Sequence, residues 1–292
     1  MVNEQFQTLR PKLFGIAYRM LGTASDAEDV LQDAYLRLLA TDSDKIRSFE
    51  AFASTVVTRL ALDKLKSAKM QREVYPGIWL PEPVTTPTFD PTNDPTDPSA
   101  RLLKLESLSL AFLLILETLT PEERAVFLLR EVFDYGYDEI AQVIDKSEAA
   151  CRQLLSRAKK SIATHRLRFQ PTPEEHQHIF AAFVQASNEG NIEKLAEILT
   201  ADVTVYSDGG GKATAALRPV QGRESVLKFL QGVVRTGLKP GDQIVVATLN
   251  GGESLLVRNR EGKVTTAMLF EIAESAIQAI YIMRNPEKLA ML

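Results

Sequence analysis

Asp208-Gly209-Gly210-Gly211-Lys212 sets a lysine directly behind three glycines, the residue types with which phosphate-binding loops cradle a nucleotide. The spacing does not support that chemistry. A phosphate loop needs G-x-x-x-x-G-K-[ST], but counting back from Gly211-Lys212 puts Tyr206 at the first glycine position, and Ala213 follows the lysine. The flanking stretches VTVYS and ATAALRP read as strands, so the glycines are expected to make a permissive hairpin turn. Acid–base chemistry is no better served. His176 and His178 stand on a helical segment, short of any carboxylate partner visible in the strands. Asp202 and Asp208 both lie beside turns, where aspartate is common for backbone reasons. A single cysteine, Cys151, excludes an internal disulfide framework, and three histidines leave a Cys/His zinc cluster out of reach. Cys151 is read as a small buried apolar side chain and His165 as a solvated residue at a helix end. No catalytic residue, cofactor or metal site is expected.

The chemistry that the residues do support is contact with a polyanion. The formal net charge is -4, but the charge is unevenly spread. Residues 59–72 carry Arg59, Lys64, Lys66, Lys69 and Arg72 against Asp63 alone. Residues 151–168 carry Arg152, Arg157, Lys159, Lys160, Arg166 and Arg168 and no acid. Two basic stripes in a mildly acidic chain suit a protein that touches nucleic acid in two places. A solvated helix face is the plainer explanation of a charge run, and the missing acids weigh against it.

Those stripes lie on helices separated by punctuation. Residues 76–100 hold seven of the fourteen prolines and no basic residue, so neither a helix nor a central strand can persist there. As an extended linker this stretch would reach on the order of 75 Å. Before it, DAEDVLQDAYLRLLA places Val30, Leu31, Ala34 and Leu38 on one helical face, and the helix FEAFASTVVTRLALDKLKSAKMQRE is expected to turn Phe52, Val56 and Leu60 inward. After it, 101–168 is again helical, with a short break at Gln170-Pro171-Thr172-Pro173. From Glu174 two helical segments precede the strand-like runs VTVYS, QIVVATLN, ESLLVRN, VTTAMLFEIA and AIQAIYIM, with the helix RESVLKFLQGVV among them. Helices followed by an antiparallel sheet make an α+β plan, the sheet curling around the helices. At 292 residues the chain is long enough for two or three domains. No apolar run of 18 residues is present, and the first twenty residues lack a signal-peptide core, so a cytoplasmic protein without membrane contact is expected.

The strongest local pattern is YDEIAQVIDKSEAACRQLLSRAKKSI. A short helix ending near Ile144, a turn at Asp145-Lys146-Ser147 and a longer helix from Glu148 fit a helix-turn-helix, with Ser147 as N-cap. Cys151, Leu154, Leu155, Ala158 and Ile162 form one apolar stripe. Arg152, Gln153, Ser156, Arg157, Lys159 and Lys160 are then left to phosphates and base edges. Asp145 sits where glycine is commoner, and it tolerates a left-handed backbone better than most residues.

DAEDVLQDAYLRLL, the helix carrying VVTRLALDKLKSA, and LTPEERAVFLLREVFDYGYDEIAQVIDKSEAACRQLLSRAKK, in this order around a linker, resemble the extracytoplasmic-function group of bacterial sigma-70-type factors over about residues 6–168. The resemblance implies a region 2 domain (1–75) that binds core RNA polymerase and opens the −10 element, a linker (76–100), and a region 4 domain (101–169) that reads the −35 element. It implies polymerase docking, on the β′ clamp, through Asp29, Gln32, Asp33, Leu36 and Arg37, with region 4 meeting the β flap. It also implies capture of an unstacked −10 base by TDSDKIRSF, and promoter DNA contact through the basic residues named above. Phe52 and Arg59 depart from the tryptophan and asparagine of many relatives, which puts the −10 sequence in doubt.

Residues 174–292 resemble the SnoaL-like branch of the NTF2-like cone. Three stretches resemble one subgroup that carries this domain at its C-terminus: Trp79-Leu80-Pro81-Glu82-Pro83, Asp208-Gly209-Gly210-Gly211-Lys212, and Asn285-Pro286-Glu287-Lys288-Leu289. The resemblance implies that the extension regulates the factor in cis. Trp79 and Leu80 are large apolar groups in a polar linker, either docked on the C-terminal domain or packed on the end of the first helical unit. The protein is expected to be monomeric when free, with room for an unidentified small ligand in the cone. Two other readings stay open: a ligand-responsive DNA-binding regulator with one helix-turn-helix, and a SnoaL-like enzyme domain fused to a DNA-binding module.

Overall fold

Residues 75–85, the start of the proline-rich stretch, do not hang free but fold with the C-terminal part of the chain. In a computed structural model the described residues are 2–42, 46, 48–85, 108–165, 173–273 and 275–292. They form two units, one from 2–74 with 108–165 and one from 75–85 with 173–292. Much of the expected −10 loop (residues 43–45 and 47), the linker beyond Thr85, and Arg166 and Arg168 lie outside the described residues.

The first unit is helical. Helices α1 (Val2–Leu21), α2 (Ala24–Ala40) and α3 (Phe49–Glu73) make its first part. Gly22 stops α1 with a φ of 73°, a left-handed conformation that suits glycine. Helix α2 buries Ala27, Val30, Leu31, Ala34 and Leu38, the stripe that its periodicity predicts. Helix α3 starts at Ser48, whose hydroxyl accepts from the Ala51 amide at 3.3 Å. Its deepest residues are Ala53, Val57, Ala61 and Leu65, one position on from the expected Phe52, Val56 and Leu60, which are only half-buried. Small alanines at the seam let the helices α1 and α3 approach closely, which periodicity of large side chains alone does not reveal.

Next come α4 (Leu110–Leu116) and α5 (Pro121–Phe127), the latter opened by a capping box between Thr120 and Glu123 with proline in its first turn. A π turn, Leu128–Val132, continues α5, and α6 (Tyr137–Ile144) and α7 (Glu148–His165) follow. Arg124 is fully buried and pairs with Glu117, which also receives Arg72; Arg124 Nε donates to the Arg19 carbonyl at 2.9 Å, and Arg72 donates to that of Leu21. Burial pushes the Glu117 carboxyl up, but the two guanidiniums outweigh it and hold the group below the usual carboxylate value. This staple ties the ends of α1 and α3 to α4 and α5.

In the second unit, α8 (Pro173–Glu189) and α9 (Ile192–Glu197) precede β1 (Leu199–Asp208) and β2 (Val220–Gln221). Helix α10 (Arg223–Gly237) leads to β3 (Gln243–Leu249), β4 (Gly252–Arg258), β5 (Val264–Ala273) and β6 (Ala276–Met283). The sheet order is β2-β1-β6-β5-β4-β3. It is mixed rather than antiparallel throughout, because β1 and β6 run parallel, Val205 beside Ile280 and Asp208 beside Met283. Helices α8 and α10 and one sheet face enclose a core of Phe180, Phe183, Val226, Phe270, Ile280 and Ile282. One strand expectation fails: ATAALRP is irregular, and the chain pairs with β1 only at Val220–Gln221. Three alanines and a closing proline, with Thr214 as the one β-branched residue, offer little to hold a strand on the sheet.

Candidate nucleic-acid faces and the linker anchor

Helices α6 and α7 meet at a left-handed Asp145 (φ 55°, ψ 54°), whose amide donates to the Ala141 carbonyl. Ser147 Oγ then accepts from the Ala150 amide at 3.2 Å and starts α7. Cys151, Leu154, Leu155, Ala158 and Ile162 are buried, and Arg152, Gln153, Ser156, Arg157, Lys159 and Lys160 are all exposed. Helix α7 thus separates core from charge as its spacing predicts. Two of its cations have partners: Arg152 pairs with Glu148 and lies over the Tyr137 ring, and Lys159 reaches Glu131 at 2.8 Å. Burial raises the Cys151 thiol, the opposite of what a reactive thiol needs.

The basic end of α3 is arranged differently. Arg59 turns its guanidinium onto the last carbonyls of α6, those of Val143 at 2.9 Å and Gln142 at 2.7 Å, which caps that helix with a cation. Lys64 bridges Asp26 and Asp29 at 2.9 and 2.8 Å, and Arg72 belongs to the Glu117 staple. Lys66 is exposed, and the side chain of Lys69 lies outside the described residues. Sequence counting could find the charges of 59–72 but not their partners, which come from residues far along the chain.

On α2 the exposed face carries Gln32, Asp33, Leu36 and Arg37, with Leu36 58% and its neighbour Leu39 52% accessible. Asp29 borders this face and holds Lys64. Two leucines in water on a charged helix face are the composition of a docking surface.

The linker anchor gathers all three stretches of the C-terminal resemblance. Asp208 is wholly buried at the end of β1. Its Oδ1 accepts from the Tyr75 hydroxyl at 2.7 Å and the Gly210 amide at 2.9 Å; its Oδ2 accepts from the Leu80 amide at 2.9 Å and Lys288 Nζ at 2.7 Å. Lys288, 7% accessible, also donates to the Leu80 carbonyl at 2.6 Å and lies over the rings of Tyr75 and Trp79. Asn285 Nδ2 donates to the Tyr75 hydroxyl at 2.9 Å, and the Arg284 and Asn285 amides donate to the Asp208 carbonyl. Burial, then the hydrogen bond to Asp208, pushes the Tyr75 phenol well above its ordinary value. Gly210 has a φ of 59°, and a Cβ there would run into the Asn285 amide, so the glycines let a loop close against a buried asparagine. Lys212 pairs with Glu287 at the rim.

Leu80, Pro81, Glu82, Pro83 and Val84 are buried along the strap, and Leu289 is buried beyond Pro286. At its far end the Val84 amide donates to Asn250 Oδ1 at 3.0 Å, and the Asn250 amide returns the bond to Val84 at 2.9 Å. Trp79 and Leu80 are therefore docked on the C-terminal unit. Asp208, expected as a turn residue, does bond the Gly210 amide two residues on, and is in addition a buried acceptor for groups far along the chain. Tyr75 and Asn250 were not singled out from the sequence, although Asn250 ahead of two glycines marks a tip in which a side chain can reach back. His178 and Asp202 are exposed, whereas His176, expected without a carboxylate nearby, comes close enough to Glu253 to feel its charge.

The chain matches the family models for Sigma-70 region 2 over residues 5–70 and Sigma-70, region 4 over residues 109–162. It is 39% identical over 251 residues to the ECF RNA polymerase sigma factor SigJ of Mycobacterium tuberculosis, covering 85% of this chain and 78% of the relative. It is 33% identical over 265 residues to the probable ECF RNA polymerase sigma factor SigI of the same organism, covering 82% and 90%. The crystal structure of the extracytoplasmic-function sigma factor SigJ superposes with a TM-score of 0.78 at 34% identity, over 99% of this chain and 98% of that one. The second unit, a mixed six-stranded sheet packed on α8 and α10, lies within the stretch that this superposition covers. With both sigma-70 regions in place and this identity spanning most of its length, the chain belongs to the extracytoplasmic-function sigma factors.

Proposed function

We propose that the C-terminal cone regulates this sigma factor in cis, by holding the strap that joins region 2 to region 4. The observation that carries the reading is Asp208: a buried carboxylate, satisfied only when Tyr75, Leu80 and Lys288 converge on it. The strap is thus bound by a charged pair in a dry site, which removing one partner disrupts strongly. The helix α2 face of Gln32, Asp33, Leu36 and Arg37 docks on the polymerase β′ clamp, and region 4 meets the β flap. Helix α7 presents Arg152, Gln153, Ser156, Arg157 and Lys160 to the −35 element.

The described part of the first unit, about 130 residues, measures about 40 Å across if compact. The two promoter elements, centred about 25 base pairs apart, span roughly 85 Å of duplex. Promoter binding therefore separates α3 from α6 and frees Arg59 for DNA, while Lys64 keeps its α2 partners Asp26 and Asp29, and the length of strap released from the cone limits how far the two regions part. The test is transcription in vitro with core polymerase on a promoter that the wild-type chain recognises. Asp208→Asn, and separately Trp79→Ala with Leu80→Ala, are expected to change promoter-dependent transcript several-fold while core binding stays as it was. Unaltered transcription by both variants, with the strap shown to be released, sinks the reading.

A further inference from the structure

Between α8 and the β3–β4 edge of the sheet lies an open cleft of about 550 Å³, within the range of about 300–1,000 Å³ usual for small-molecule sites. Its floor is apolar: Phe180, Ala181 and Val184 from α8, and Val246 from β3. Val246 is 58% accessible, and Ile244, two residues earlier and so on the same strand face, is 52% accessible. Phe183, Phe270 and Ile280 pack in the buried core of the unit. Phe180 serves both sides, one part of it packed into that core and another forming the cleft floor.

The charged groups that line the cleft are Glu253 and Glu189. Glu189 stands at the lip and is already engaged by Lys194 and Gln185. Glu253, from β4, is not: its Oε2 is shielded from solvent and accepts no hydrogen bond. The neighbouring imidazole of His176 does not compensate it, because burial lowers the His176 pKa from its usual value and keeps the ring neutral at neutral pH, against the pull of Glu253. A cleft with an apolar floor and only carboxylates for charged lining is a poor place for an anion, and a neutral apolar molecule leaves the charge of Glu253 unanswered.

We propose that this cleft binds a small organic cation with an apolar arm, its ammonium donating to Glu253 and its arm lying on Phe180, Val184 and Val246. The ammonium supplies the charge opposite to a cleft whose charged lining is carboxylate, and the arm covers apolar surface now facing water. The site is independent of the linker anchor, so its failure leaves the regulatory reading standing.

The experiment uses the full chain with ¹³C-labelled alanine and valine methyls, titrated with n-hexylammonium, 1-hexanol or hexanoate at one ionic strength. Hexylammonium is expected to shift the Ala181, Val184 and Val246 methyls saturably, with an affinity at least about tenfold above that of hexanol, and hexanoate to leave them unmoved. The isosteric Glu253→Gln should bring hexylammonium down to the hexanol level without weakening hexanol itself. Absence of a saturable shift at these methyls, equal affinity for the three probes, or an undiminished ammonium preference in Glu253→Gln overturns the proposal. The three-probe comparison on the wild-type chain stands even where the variant does not fold.

Discussion

Asp208 and Glu271 show how two acids of the same unit are put to opposite uses. Asp208 lies in the dark of the protein with donors on both oxygens and a lysine across from it. On β5, Glu271 has no such partner to offset its surroundings, and burial lifts it to about 8. It also helps burial raise Tyr281 on β6, against which Tyr206 stacks. A carboxyl whose folded pKa lies above its unfolded value stabilises the fold fully below the ordinary value of 4.5, and that contribution disappears as the pH rises through about 8. The second unit is therefore expected to lose stability between those limits, and Glu271→Gln to flatten the dependence. Urea unfolding followed through Trp79, the one tryptophan and a member of the anchor, measures it. An unchanged pH slope in the variant assigns the effect elsewhere.

At the level of elements, α7 and α3 carry similar charge and meet different fates. Helix α7 projects Arg157 and Lys160 into solvent from an apolar stripe that fixes its rotation. Helix α3 commits Arg59, Lys64 and Arg72 to neighbouring helices. The apolar stripe of α7 was readable in advance, because large apolar side chains mark it locally, whereas that of α3 lies one position on from the expected Phe52, Val56 and Leu60. Whether a lysine meets an acid from another helix is not local, and it escaped the reading. On α7, replacing Lys160 with alanine is expected to weaken promoter binding by the polymerase-bound factor evenly across sequences and to lower the salt slope of log affinity by about one. Filter binding across a salt series checks it, and an unchanged slope removes Lys160 from the phosphate contacts.

The whole molecule rests on two buried charge clusters, one in each unit: Arg124-Glu117-Arg72 in the first and Asp208-Lys288 in the second. Each leaves an uncompensated charge when one member is neutralised, at a cost of about 3–5 kcal/mol. Glu117→Gln should lower the unfolding transition of the helical unit by that much and leave Trp79 emission at its midpoint in place. Asp208→Asn should do the reverse, lowering the midpoint seen by Trp79 and leaving the helical signal near 222 nm largely where it was. Calorimetry and denaturant titration with both probes distinguish the outcomes, and a single variant that moved both transitions equally would show the units to be one cooperative body.

By itself the sequence determined what is local: the apolar stripes of α2 and α7, the left-handed turn at Asp145, the N-cap at Ser147, and a proline-rich strap that no helix could cross. Family likeness, carried by short motifs, reached further and named the three stretches that meet. Only the tertiary structure decided that Asp208, besides bonding the Gly210 amide in its own turn, is a buried acceptor for Tyr75, Leu80 and Lys288, that β1 lies parallel to β6, and that the strap belongs to the second unit. Each of these depends on groups more than seventy residues apart, and burial, which sets the strength of a hydrogen bond or a charge, is a property of the assembled fold and not of any stretch of chain.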